Sequence, residues 1–131
     1  VGLDDSEGKD VTVFATGTMV AESLKAAKAL REAGKDVHVV NIHTIKPLDE
    51  AAVRETCGKS KLLVSVEEHS VSGGLGGAVS EAMSGVPGSP RLLRLGMPDK
   101  FVHPGEYPYL LEQYGLTAAS ISTGIQAELK K

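Results

Sequence analysis

The sequence contains one cysteine, Cys57, in 131 residues, and no apolar run of membrane-spanning length. One thiol closes no internal disulfide and builds no thiolate cluster, so a reducing, cytoplasmic setting is the expectation. A helix that spans a bilayer needs about 20 consecutive apolar residues, and no signal peptide is visible at Val1. No membrane partner is expected. Acids and bases are spread along the chain, with a formal charge of −3. A nucleic-acid footprint needs clustered Lys and Arg, so nucleic acid is not expected as a partner either. There is no Gly-x-Ser-x-Gly elbow, no Ser/His/Asp order and no second cysteine, which removes the usual hydrolase and redox patterns. The chain starts at Val1 with no Met, as a processed or excised piece of something longer would.

What is present suits one globular domain over residues 1–131. Hydrophobic residues make up 41% of the chain and charged residues 24%, too apolar for a disordered segment. Val11–Ala15 is β-branched and aromatic and reads as a buried strand. With Thr18 as its expected N-cap, a helix then carries Val20, Leu24, Ala27 and Leu30 on one face and stops at Gly34. A second strand is expected over Val37–Ile42, then a helix from Asp49 to Cys57 ending at Gly58. Lys61–Val66 is apolar enough for a strand covered on both faces. A helix over Leu75–Ser84, a loop over Gly85–Pro90 and a strand over Arg91–Leu95 follow. The tail from Gly105 reads as two helical pieces broken at Gly115, with Thr117 as an N-cap. This alternation predicts a three-layer α/β/α domain with a mostly parallel sheet of four to five strands.

In open sheets of this type, ligands gather beyond the carboxyl ends of the strands. Thr16–Thr18, Glu67–Gly77 and Gly96–Gly105 fall there, and the middle segment is the richest. Glu67, Glu68 and His69 are acid/base or metal candidates, but adjacent residues of an extended chain point to opposite sides, so at most two converge. The spacing also differs from the i, i+3 or i, i+4 pattern of helical metal sites. The plainer reading has one glutamate accepting backbone N–H groups at a helix start, with the others facing solvent or a partner. Gly73, Gly74, Gly76 and Gly77 invite a phosphate cradle, yet no Walker lysine follows, and Val79 stands where a dinucleotide fingerprint needs its third glycine. Close packing of the helix start against the sheet or another chain is the preferred alternative. His103, in the restricted loop Phe101-Val-His-Pro-Gly-Glu106, is a candidate for touching a ligand or partner, with Phe101 beside it. His38 and His43 read as packed or surface residues, and Cys57 as packing.

The run Val66-Glu-Glu-His-Ser-Val-Ser-Gly-Gly-Leu-Gly-Gly-Ala-Val79 resembles the C-terminal domain of the transketolase family. Gly8–Gly17, Asn41–Asp49, Arg94–Phe101 and Tyr114–Thr117 resemble further segments of that domain in the same order, so the likeness covers nearly the whole chain. It is nearest to the C-terminal part of split, two-subunit prokaryotic transketolases. In one departure, Phe101-Val-His-Pro-Gly105 replaces their Phe-Gly-x-Ser-Gly and is more like deoxyxylulose phosphate synthase.

The resemblance implies an assembly or dimerisation domain of an enzyme that moves two-carbon ketol units between sugar phosphates. Thiamine diphosphate and Mg2+ would belong to the complete enzyme, held between pyrophosphate- and pyrimidine-binding domains or subunits. The cofactor-activating glutamate belongs to the pyrimidine domain, so the resemblance assigns this chain no catalytic, cofactor-binding or metal residue, and the chain alone is expected to be inactive. Glu67, Glu68, His69, Gly73, Gly74, Gly76, Gly77, Phe101 and His103 become candidates for an interface or funnel rim in a homodimer. An antiparallel edge strand is also implied; only Val1–Leu3 remains to supply it, so it is expected to be short or missing. Other readings are a freestanding nucleotide- or anion-binding module and the equivalent domain of a 2-oxoacid dehydrogenase β subunit. The Glu-Glu-His-x-x-x-Gly-Gly-Leu-Gly run favours transketolase over the latter.

Overall fold

The computed structural model describes residues 6–43, 48–70, 74–97 and 111–131. Four strands, β1 (Val11–Ala15), β2 (Val37–Asn41), β3 (Leu62–Ser70) and β4 (Arg91–Met97), are joined through α1 (Met19–Glu32), α2 (Glu50–Cys57) and α3 (Leu75–Met83). A last helix, α4 (Ala118–Leu129), follows. The strands are parallel and lie in the order β2-β1-β3-β4. The edge strand expected from Val1–Leu3 lies outside the described residues.

Strand alternation divides the core into two faces. Val11, Val13 and Ala15 of β1, Val37 and Val39 of β2, and Leu62, Val64 and Val66 of β3 pack with α1 and α4. Phe14, Val40 and Leu63 point the other way, against Val53 and Cys57 of α2 and Leu75 and Val79 of α3. Cys57 is therefore a packing residue, as expected. The buried face of α1 is Met19, Ser23, Ala26, Ala27 and Leu30, while Val20 and Leu24 lie at its margin. Small side chains let this helix sit close to the sheet, a preference that hydrophobic periodicity under-reads.

Local chemistry explains the helix ends. At Gly34, φ is +89°, and the amides of Gly34 and Lys35 donate to the carbonyls of Arg31 and Leu30 at 2.9 and 3.0 Å. This closes α1 with the paired bonds of a Schellman turn. Gly115 (φ +73°) closes the short helical stretch after Leu111 in the same way, bringing Leu116 back onto the core. Asp49 and Thr117 cap α2 and α4, accepting the amides of Ala52 at 3.1 Å and Ser120 at 3.2 Å. Thr18 stands at the N-cap position of α1, as expected, but with helical dihedrals (φ −66°, ψ −18°) and no side-chain cap bond. Gly17, at φ +61°, makes the turn one residue earlier, and the Met19 and Val20 amides bond back to Thr16 and Gly17.

At the amino ends of the strands, Asp36 accepts the Lys9 amide at 2.9 Å and the Ser6 hydroxyl at 2.8 Å. The Lys9 amide is the main cause holding this carboxyl below its usual range. Asp10 is lowered in turn, chiefly by the Asp36 amide that it accepts at 2.8 Å. This polar lacing fixes one end of the sheet and leaves the other for the candidate site.

Candidate functional site at the carboxyl edge of the sheet

The strand β3 continues four residues beyond Val66, where the expected strand ends. Val66 pairs with Leu95 and Ser70 with Met97, so Glu67, Glu68 and His69 oppose the single residue Gly96. A bulge of this kind re-aims side chains at a strand end. It sends Glu67 and Glu68 to different partners, in line with the divergence expected of adjacent residues.

Glu67 is 1% exposed, and both its carboxylate oxygens are engaged. Oε1 accepts the amide of Leu75 at 2.9 Å and Oε2 accepts the amide of Gly76 at 2.8 Å. These amides open α3, whose N-cap, Gly74, has no side chain to satisfy them. A buried carboxylate is costly unless fully hydrogen-bonded. Two charge-assisted bonds and the positive end of the helix dipole supply that compensation here.

Glu68 is half-buried, and its Oε2 accepts the Thr18 hydroxyl at 2.8 Å. Thr18 follows β1, so this bond ties the carboxyl ends of the two central strands. The connection from β1 leads outward to β2, whereas β3 lies on the other side of β1. The pair therefore sits at the topological switch point, the place where open α/β sheets most often receive ligands or partners.

Gly76 marks the tightest packing of the site. A Cβ added there would lie 2.7 Å from Arg94 Nε, 2.9 Å from Ser65 Oγ and 3.3 Å from Arg94 Cγ. Ser65 of β3 pairs with Arg94 of β4, so α3 begins directly against these two strands. Ser65 is fully buried, and its hydroxyl has no hydrogen-bond partner among the described residues. At Gly77 an added Cβ would be 3.8 Å from the Arg94 guanidinium, ordinary contact.

Among the sequence candidates, the structure thus brings together Glu67, Glu68, Gly74, Gly76 and Gly77. Glu67 and Gly76 face inward, while Glu68, Gly74 and Gly77 keep partial exposure. Gly73, Phe101, His103 and the side chain of His69 lie outside the described residues. His43 is exposed and His38 half-buried on β2. Sequence reasoning missed Ser65 and Arg94 as supports of the helix start and Thr18 as a partner of Glu68. Only the position of Thr18 beyond a strand end signalled it.

The arrangement is largely self-satisfied. Among the described residues, no three His, Cys, Asp or Glu side chains gather where they could hold a metal ion. The Leu75 and Gly76 amides, which would otherwise suit a phosphate, already bind Glu67. No helix among the described residues is long and apolar enough to cross a membrane.

Comparison with known proteins converges on one family. The family described as "Transketolase, C-terminal domain" matches residues 2–121. A Methanocaldococcus jannaschii protein bearing the name transketolase C-terminal section is 43% identical over 126 residues, covering 95% of this chain and 39% of that protein. The 1-deoxy-D-xylulose-5-phosphate synthase of Caldanaerobacter subterraneus is 39% identical over 125 residues, covering 95% of this chain but 20% of its own length. A solved structure titled "Split gene transketolase, inactive beta4 tetramer" superposes with a TM-score of 0.85 at 38% identity, covering 99% of this chain and 41% of that one. The chain thus spans well under half of each of these relatives.

Proposed function

This chain belongs to the transketolase C-terminal domain family, and we propose from that premise that it is the assembly domain of a thiamine diphosphate-dependent ketol transferase. In the complete enzyme, two-carbon ketol units would pass between sugar phosphates on a cofactor held by the pyrophosphate- and pyrimidine-binding domains or subunits. This domain would contribute subunit contacts and part of the funnel rim.

The observation that carries the reading is the internal occupation of the α3 start. The chain's own Glu67 fills the first amides of α3, beside the Glu68–Thr18 pair at the switch point. Among the described residues no His, Cys, Asp or Glu set is fitted to Mg2+, and the Leu75 and Gly76 amides are already bonded, so no chemical step is assigned to them. What the start of α3 offers is the partial exposure of Gly74 and Gly77, where small residues admit another backbone. The split-gene relative, described as a β4 tetramer, favours such self-association. The same occupied amides count against a freestanding anion-binding module.

A second reading keeps the domain but changes the enzyme to deoxyxylulose phosphate synthase. The Caldanaerobacter relative favours it, as does Phe101-Val-His-Pro-Gly105.

Two-fold contacts are self-complementary, and stable ones bury about 1,200 Å2 or more in total. One domain supplies only part of such an area. A dimer whose population rises with concentration is therefore expected, measured by sedimentation across a hundredfold dilution series. A strictly monomeric chain at every concentration defeats the assembly role.

A further inference from the structure

Glycine-rich turns that open a helix usually leave their amides free for a ligand. Here the ligand is internal. Glu67 reaches from β3 to the first two residues of α3, eight and nine positions later, and fills both amides. Gly74 offers no capping side chain, so this carboxylate is the cap for the helix start. Arg94 and Ser65 pack closely beside Gly76. Gly74 and Gly77, partly exposed at the start of α3, are thus joined to β3 through one buried carboxylate.

We infer that Glu67 is the positioning residue of this edge, a built-in anion that holds α3 to β3 and thereby sets the contact surface at Gly74 and Gly77. The contact part of this inference rests on the assembly role proposed above; the positioning part does not. The residue acts through the helix start and is itself too buried to touch a partner. Its chemistry is that of a small carboxylate in an amide nest, so a free carboxylate can take its place once the side chain is removed.

The test compares the wild-type chain with Glu67→Ala, with and without formate, against chloride at equal ionic strength. Amide hydrogen exchange reads the helix start, and sedimentation reads the contact. In Glu67→Ala, exchange at Leu75 and Gly76 is expected to quicken by about tenfold or more while the amides of β1 change little. The dimer should weaken in parallel. Formate should restore both, with no matching effect on wild type and none from chloride. A general loss of stability would not be repaired by formate alone. If Glu67→Ala does not fold even with formate, Glu67→Gln decides: it keeps one acceptor and sets an NH2 against the other amide, so one of the two should lose protection. Wild-type protection at both amides in either variant overturns the inference, and so does a formate effect equal in wild type and Glu67→Ala. A dimer unchanged in a variant whose helix start has loosened overturns the link to the contact. A wild-type chain that is always monomeric defeats the assembly role instead, and the exchange measurements still decide the positioning.

Discussion

Phe14→Ala is expected to lower the free energy of unfolding by about 3–5 kcal/mol, the usual cost of emptying a buried aromatic site. Phe14 is fully buried in β1, pairing with Val40 on one side and Ser65 on the other. Its ring joins the cluster of Val40, Leu63, Leu75 and Val79. The cavity would open within this cluster, against parallel strands that have little freedom to collapse into it. Domains of this size are stable by about 5–15 kcal/mol, so the loss is a large share of the total. Urea unfolding should show a lower midpoint with an unchanged slope. A loss under 1 kcal/mol would mean that the ring is not buried in this cluster as described.

Gly76→Val is the second large effect, expected at about 3 kcal/mol, the upper part of the range for forcing side-chain volume into a filled site. The cause is space, since Gly76 is not among the glycines with positive φ. Valine places branched methyls where Arg94 Nε and Ser65 Oγ already stand, 2.7 and 2.9 Å from the Cβ alone. The exposed Arg94 side chain can swing away, but Ser65 is fixed in the central part of the sheet. The helix start must therefore lift, stretching the bonds to Glu67. Gly76→Ala should cost about 1 kcal/mol, because the clash outweighs a helix-propensity gain of similar size. Gly77→Ala meets only Arg94 at 3.8 Å and should be neutral or slightly stabilising. The three variants together, compared by thermal or urea unfolding, separate crowding at Gly76 from a general need for glycine. Equal costs at Gly76 and Gly77 would contradict the packing described.

The contrast between these neighbouring glycines shows where sequence reading works. The order of strands and helices was legible because its signals are local: β-branched runs at Val11–Ala15 and Leu62–Val66, caps at Asp49 and Thr117, stops at Gly34 and Gly115. The capping glutamate was also foreseeable, since a carboxylate just ahead of a glycine-led helix has few other uses when buried. Which of the two it would be depended on the bulge opposite Gly96, a pairing between separate strands. The extension of β3 past Val66 was hidden for the same reason: Glu67 looks like a surface residue until α3 supplies its donors. Thr18 holds the expected cap position, but its hydroxyl goes to Glu68 and makes no cap bond, a long-range pairing that the local sequence does not carry. Arg94 and Ser65 gained their importance from register between β3 and β4, which no single segment encodes.

The central claim, that this domain assembles an enzyme and leaves cofactor chemistry to its other parts, meets its most direct test in calorimetry. Thiamine diphosphate titrated with Mg2+ into the isolated chain should give no saturable heat, because the Leu75 and Gly76 amides are filled by Glu67 and no metal donor set gathers among the described residues. Saturable, magnesium-dependent binding in the micromolar range would contradict the account and place a cofactor site within this chain.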